Sequence, residues 1–74
     1  MTKKEFLAAL AEELEVPGQE LTEDSYWDEI EGFSSLSSLM IIAFMDDNFD
    51  IRVTDDQFKS MKQVRDLMDL VRLT

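Results

Sequence analysis

Gly32-Phe33-Ser34-Ser35-Leu36-Ser37-Ser38-Leu39-Met40-Ile41-Ile42-Ala43-Phe44-Met45-Asp46-Asp47-Asn48-Phe49 runs from a glycine through a cluster of serines into an apolar segment that ends in acids and an aromatic. Glycine permits a chain reversal, and a serine side chain can accept from the free N–H groups at a helix start. Ser34 or Ser35 therefore opens a helix that reaches about Phe49. At 3.6 residues per turn, Ile41, Ile42, Met45 and Phe49 fall within an arc of roughly 100°, one ordinary core-facing stripe. Leu36, Met40, Ala43 and Phe44 occupy a different arc, with Asp47 beside them. The helix is thus apolar on more than one side, which admits two readings. Neighbouring helices of a four-helix bundle cover both arcs, or Leu36, Met40 and Ala43 form an exposed patch for a partner.

Upstream, Thr2 can cap a first helix running to about Leu14, with Phe6, Leu7, Leu10, Ala11 and Leu14 at helical spacing. Val16-Pro17-Gly18 is expected to stop it, because proline cannot continue the hydrogen-bond ladder and glycine permits a turn. Residues 19–33 are polar and irregular but carry large apolar anchors at Leu21, Tyr26, Trp27, Ile30 and Phe33. They read as an ordered loop pinned to the core, with room for a short helical turn after Thr22 and Gly32 closing it. Downstream, residues 50–53 form a short link. Thr54-Asp55-Asp56-Gln57 has the form of a capping box and starts a short third helix through Phe58 to about Ser60. A last helix begins at Ser60 or Lys62, with Val64, Leu67, Met68 and Val71 on its apolar face and Arg65 and Arg72 off it. No run alternates in the manner of a strand. The fold expected is all-α: four helices with a short third one, in a single domain spanning 1–74.

Composition narrows the function. A chain of 74 residues buries about 60% of its unfolded surface, so its core must be economical, and a 45% hydrophobic content supplies one. There is no cysteine and no histidine, which removes disulfides, thiolate nucleophiles and the usual general base. Seven basic against 17 acidic residues give a formal net charge of −10. That balance argues against nucleic acid or insertion into an anionic membrane and favours partners with basic surfaces. Met1-Thr2-Lys3-Lys4 leads directly into the amphipathic pattern, with no apolar core like that of a signal peptide, so a cytoplasmic monomer is expected.

A serine at a loop–helix junction is, by itself, an N-cap. The order Ser35-Leu36-x-x-Leu39-x-Ile41, then Asp46-Asp47-x-Phe49, then Val53 resembles the acyl carrier protein family, in which serine-leucine opens the second helix, an acidic pair follows, and an aromatic closes it. Ile30-Glu31-Gly32-Phe33 before it looks like the discrete-carrier variant with a tryptophan and an aspartate ahead of the serine, Phe33 standing in for the tryptophan. The resemblance continues through Arg52-Val53-Thr54 and Met61-x-x-Val64-x-x-Leu67, nearly the whole chain. It implies a protein that performs no catalysis. Its implied role is to tether acyl, or peptidyl or aminoacyl, thioesters on a covalent 4'-phosphopantetheine arm at Ser35. The arm ends in a thiol, which lets a protein without cysteine carry thioesters. The implied partners are a phosphopantetheinyl transferase and loading or processing enzymes with basic docking surfaces. They would meet Ser34, Leu36, Met40, Ala43, Asp46 and Asp47, with Glu29 and Glu31 nearby. A helix N-terminus suits a phosphate. Two positions depart from the family: Ser34 stands where an aspartate usually precedes the modified serine, and Met40 where many relatives place an acid. These departures motivate the alternative of a carrier-fold docking module that lacks the arm. A calcium loop from Asp46-x-Asn48-x-Asp50 fails at its two decisive positions, where Ile51 and Gln57 stand in place of glycine and glutamate, so no metal is expected.

Overall fold

A computed structural model describes residues 1–16, 21–71 and 73. Its helices are α1 (Lys3–Glu13), α2 (Ser35–Phe49), α3 (Asp55–Ser60) and α4 (Val64–Met68), with a 3₁₀ turn at Trp27–Glu29 in the long α1–α2 connection. Extended pairing among the described residues is a single antiparallel bridge between Tyr26 and Gln63. The fold is all-α, as the sequence predicts.

Local chemistry sets each boundary. Thr2 accepts from the Glu5 N–H at 3.1 Å while the Glu5 carboxylate accepts from the Thr2 N–H at 2.9 Å, so two free donors of the first turn are satisfied reciprocally. These bonds favour the ionised carboxylate and hold the Glu5 acid strength above the ordinary carboxylate range, its pKa lowered. The helix ends earlier than Pro17. Glu15 adopts a left-handed φ of 59°, its N–H donates to Glu12 O at 3.1 Å, and the Val16 N–H reaches back to Ala11 O at 3.0 Å. This is a Schellman motif with glutamate in the place that glycine usually holds. The stop signal is therefore Glu15-Val16, and the expected Pro17-Gly18 lies outside the described residues. The α2 helix closes similarly, Asp50 taking φ 56° and donating to Asp46 O at 3.1 Å. Thr54 and Gln57 form the capping box expected for α3.

The last helix corrects its sequence expectation. It begins at Val64 rather than at Ser60 or Lys62. Residues 61–63 stay extended because the connection after α1 zips onto them: Trp27 N–H donates to Lys62 O, Val64 N–H to Ser25 O, and Arg65 N–H to Glu23 O. The Asp66 carboxylate accepts from both the Lys62 and Gln63 N–H groups, the Gln63 bond first among the causes that lower its pKa. Arg65 is exposed and pairs with Asp24. Arg72 lies outside the described residues.

The core is one cluster in which Phe6, Leu10, Ile41, Met45, Val64 and Leu67 are the largest fully buried side chains. Phe44, assigned by sequence to the second arc of α2, is buried at 5% exposure. It lies only 60° around the helix from Ile41, and α1 covers it: the Phe6 ring meets it edge-on at 5.8 Å. Tyr26, expected as an anchor, is 43% exposed, and its segment is fastened through backbone instead. Its neighbour Trp27 is the real anchor, 4% exposed and held between Phe58 at 5.2 Å and Phe33 at 5.8 Å. The indole Nε1 is buried and finds no acceptor among the described residues; a buried N–H left so destabilises a fold by about 1–3 kcal/mol.

Candidate functional site

The extended φ of Ser34 (−140°) turns the chain out of the Gly32 bend, itself at φ 78°, and into α2. The Ser34 N–H donates to Ser37 Oγ at 3.1 Å, and the two hydroxyls stand 3.5 Å apart. Ser35 is the first residue of the helix, with its side chain exposed. The first backbone bond of the helix here runs from Ser38 N–H to Ser34 O at 3.2 Å. The amides of Ser35 and Leu36 therefore take no backbone acceptor and remain available to an oxyanion. Acids stand in the first turn of α1, α3 and α4, but none in that of α2. A negative group arriving at Ser35 meets the positive end of a helix dipole with no carboxylate competing for it.

Of the other residues predicted from sequence, Leu36 is 66% exposed, Ala43, Asp46 and Asp47 are exposed, and Met40 is half-buried. They line one face of α2 leading away from Ser35. Sequence reading missed Leu39, 53% exposed, which lies one turn after Leu36 on the same face; its i, i+3 spacing was the available signal. From Ser35 to Met45 no residue is charged. The aspartates then come together at the C-terminal end, where the last turn holds no base to offset the dipole. Glu29 and Glu31 are exposed on the approach to Gly32. Asn48, third position of the rejected calcium loop, sits within α2 with its amide donating to Phe44 O at 2.9 Å.

The phosphate end of a prosthetic arm fits this junction: the hydroxyl is in water, the neighbouring amides are free, and no acid stands in the turn. Such an arrangement can serve as a tether point, and the class that suits it is a carrier, which presents a bound group and does not transform it. Comparison with known proteins supplies the family. Residues 4–71 match the family described as the phosphopantetheine attachment site. An acyl carrier protein of Thermobifida fusca is 34% identical over 76 residues, covering 96% of this chain and 95% of the relative. One of Exiguobacterium sibiricum is 31% identical over 75 residues, with the same coverage. The chain belongs to this carrier family. It is not an enzyme, and its prosthetic group is a covalently attached 4'-phosphopantetheine, which supplies the thiol that the sequence lacks.

Proposed function

We propose that the whole of 1–74 works as one carrier unit, with the arm on Ser35 and acyl, or peptidyl or aminoacyl, groups held on it as thioesters. The observation that carries this reading is the exposed hydroxyl of Ser35 on the acid-free first turn of α2. Installation forms a bond from Ser35 Oγ to phosphorus and breaks the donor's phosphoanhydride bond. The serine proton leaves to a base on the transferase, since this chain has no histidine to take it. Ser34 and Ser37 hold the junction; Leu36, Leu39, Met40 and Ala43 give a partner an apolar strip, and Asp46 and Asp47 meet its basic rim. With its charged positions confined to one end of the strip, docking gains speed from the aspartates and lifetime from the apolar contacts. A net charge of −10 opposes self-association, so the protein acts as a monomer, in the cytoplasm where its transferase works.

Co-expression with a broad-specificity transferase adds the mass of one arm to the wild-type protein. Ser35→Ala removes that gain, while Ser37→Ala and Ser38→Ala keep it. A wild-type chain that stays unmodified with several transferases, yet still binds a partner and tolerates Ser35→Ala, would establish the arm-free docking module instead.

A further inference from the structure

The three rings Trp27, Phe33 and Phe58 pack on one another beside the start of α2, with centroids 5.2, 5.8 and 6.2 Å apart. Were apolar filling all that position 27 required, phenylalanine would serve without a polar atom; a buried tryptophan ordinarily finds an acceptor. Here Nε1 has none among the described residues. The Trp27 backbone is also fixed, its N–H tied to Lys62 O at 3.1 Å. An acceptor must therefore come to the indole. Phe33 is the half-buried ring of the three and the outermost. It lies two residues from Ser35, and its backbone is held by the Gly32 bend and a single turn bond to Ile30 O at 3.1 Å.

We infer that the Trp27 indole N–H is a built-in donor for a neutral carbonyl oxygen carried on the tethered arm or on its cargo. The carbonyl is neutral because the surroundings are aromatic and a carboxylate would lose water there without a counter-ion. Amide carbonyls of the arm and carbonyls of the cargo share this chemistry. This inference rests on Ser35 bearing the arm.

The chain contains one tryptophan, so ¹⁵N-labelled protein gives a single indole N–H resonance to follow. It is recorded for the apo protein, the arm-bearing protein, and that protein loaded with hexanoyl or with 3-oxohexanoyl groups, each checked by intact mass. A downfield shift already in the arm-bearing form assigns the acceptor to the arm. A shift with both loaded forms assigns it to the thioester, and a shift with the 3-oxo form alone to the cargo chain. In Trp27→Phe the apo protein melts at or above the wild-type temperature, but most of the rise in melting temperature on loading is lost; a merely structural ring would leave that rise intact. An indole resonance unmoved in every fully modified form overturns the inference while leaving Ser35 in place. Absence of any mass gain overturns both.

Discussion

Two aromatic clusters divide the molecule, and they are built differently. Phe6, Phe44 and Phe49 join α1 to the C-terminal half of α2, with centroids 5.6 to 5.9 Å apart. They contain no polar atom, and Phe6 is wholly buried. Trp27, Phe33 and Phe58 join the long connection to α3 beside Ser35; each cluster has one half-buried ring, Phe49 in the first and Phe33 in the second, but the second also holds an unsatisfied donor. The first cluster closes the fold; the second keeps a defect next to the tether.

Truncation breaks this comparison most directly. Phe6→Ala is expected to lose about 3–5 kcal/mol of stability, a large share of the roughly 5–15 kcal/mol of a small domain. Phe33→Ala, at a ring already partly exposed, is expected to lose less than Phe6→Ala. Urea unfolding of the two variants reads the difference, and equal losses would erase the distinction between a closed cluster and an open one.

Capping extends the contrast to backbone. In α1 the box between Thr2 and Glu5 is reciprocal, so Thr2→Ala is expected to destabilise by about 1 kcal/mol. At α2 the bond in place is the Ser34 N–H to Ser37 Oγ. Ser37→Ala should therefore cost more than Ser34→Ala, which is expected to destabilise by less than the roughly 0.5–2 kcal/mol of an engaged cap. Thermal melts of the three variants give the order; a Ser34→Ala loss as large as that of Thr2→Ala would mean that the α2 hydroxyl is an essential cap and not a free one.

Much of this was legible in the sequence, and the failures share a cause. Period and cap residues place α1, α2 and α3, because Thr2 and Thr54 accept from N–H groups three residues on, and at α2 Ser37 accepts from the Ser34 N–H. The start of α4 was not legible: Lys62 and Gln63 are held extended by partners nearly forty residues earlier, and local propensity carries no trace of that. Which part of the second arc of α2 is covered was not legible either, because a wheel shows angles but not neighbours; the structure buries Phe44 and leaves Leu36 and Ala43 exposed. The Ser35 junction could be read, since its chemistry lies in contiguous residues, whereas the unsatisfied indole could not, since it depends on what three separate segments leave out.

The helix stop at Glu15 gives a smaller, favourable effect. A left-handed φ costs an L-residue about 1–2 kcal/mol and glycine almost nothing, but glycine also gives up about 0.5–1 kcal/mol through its freer unfolded chain. Glu15→Gly is therefore expected to stabilise by about 0.5–1 kcal/mol, checked by denaturation midpoint. The gain belongs to the closed half, so the indole resonance of Trp27 should not move.

The smallest effect is that of acid, and it samples both halves at once. Glu5 fastens the first turn of α1, and Asp66 fastens the extended link to which Trp27 is tied. Both carboxyls have folded-state pKa values lowered by backbone N–H bonds. Each therefore contributes stability that is present above the ordinary carboxylate pKa and is lost as pH falls through the lowered folded value. Glu5→Gln keeps an acceptor but cannot titrate, so its melting temperature should fall less steeply than wild type on acidification. Asp66→Asn should flatten the same limb as seen by Trp27 fluorescence, because its two bonds hold the extended link to which the Trp27 backbone is tied. Parallel acid profiles for wild type and both variants would show that the protons governing acid unfolding bind elsewhere, and that neither cap distinguishes the closed half from the tethering one.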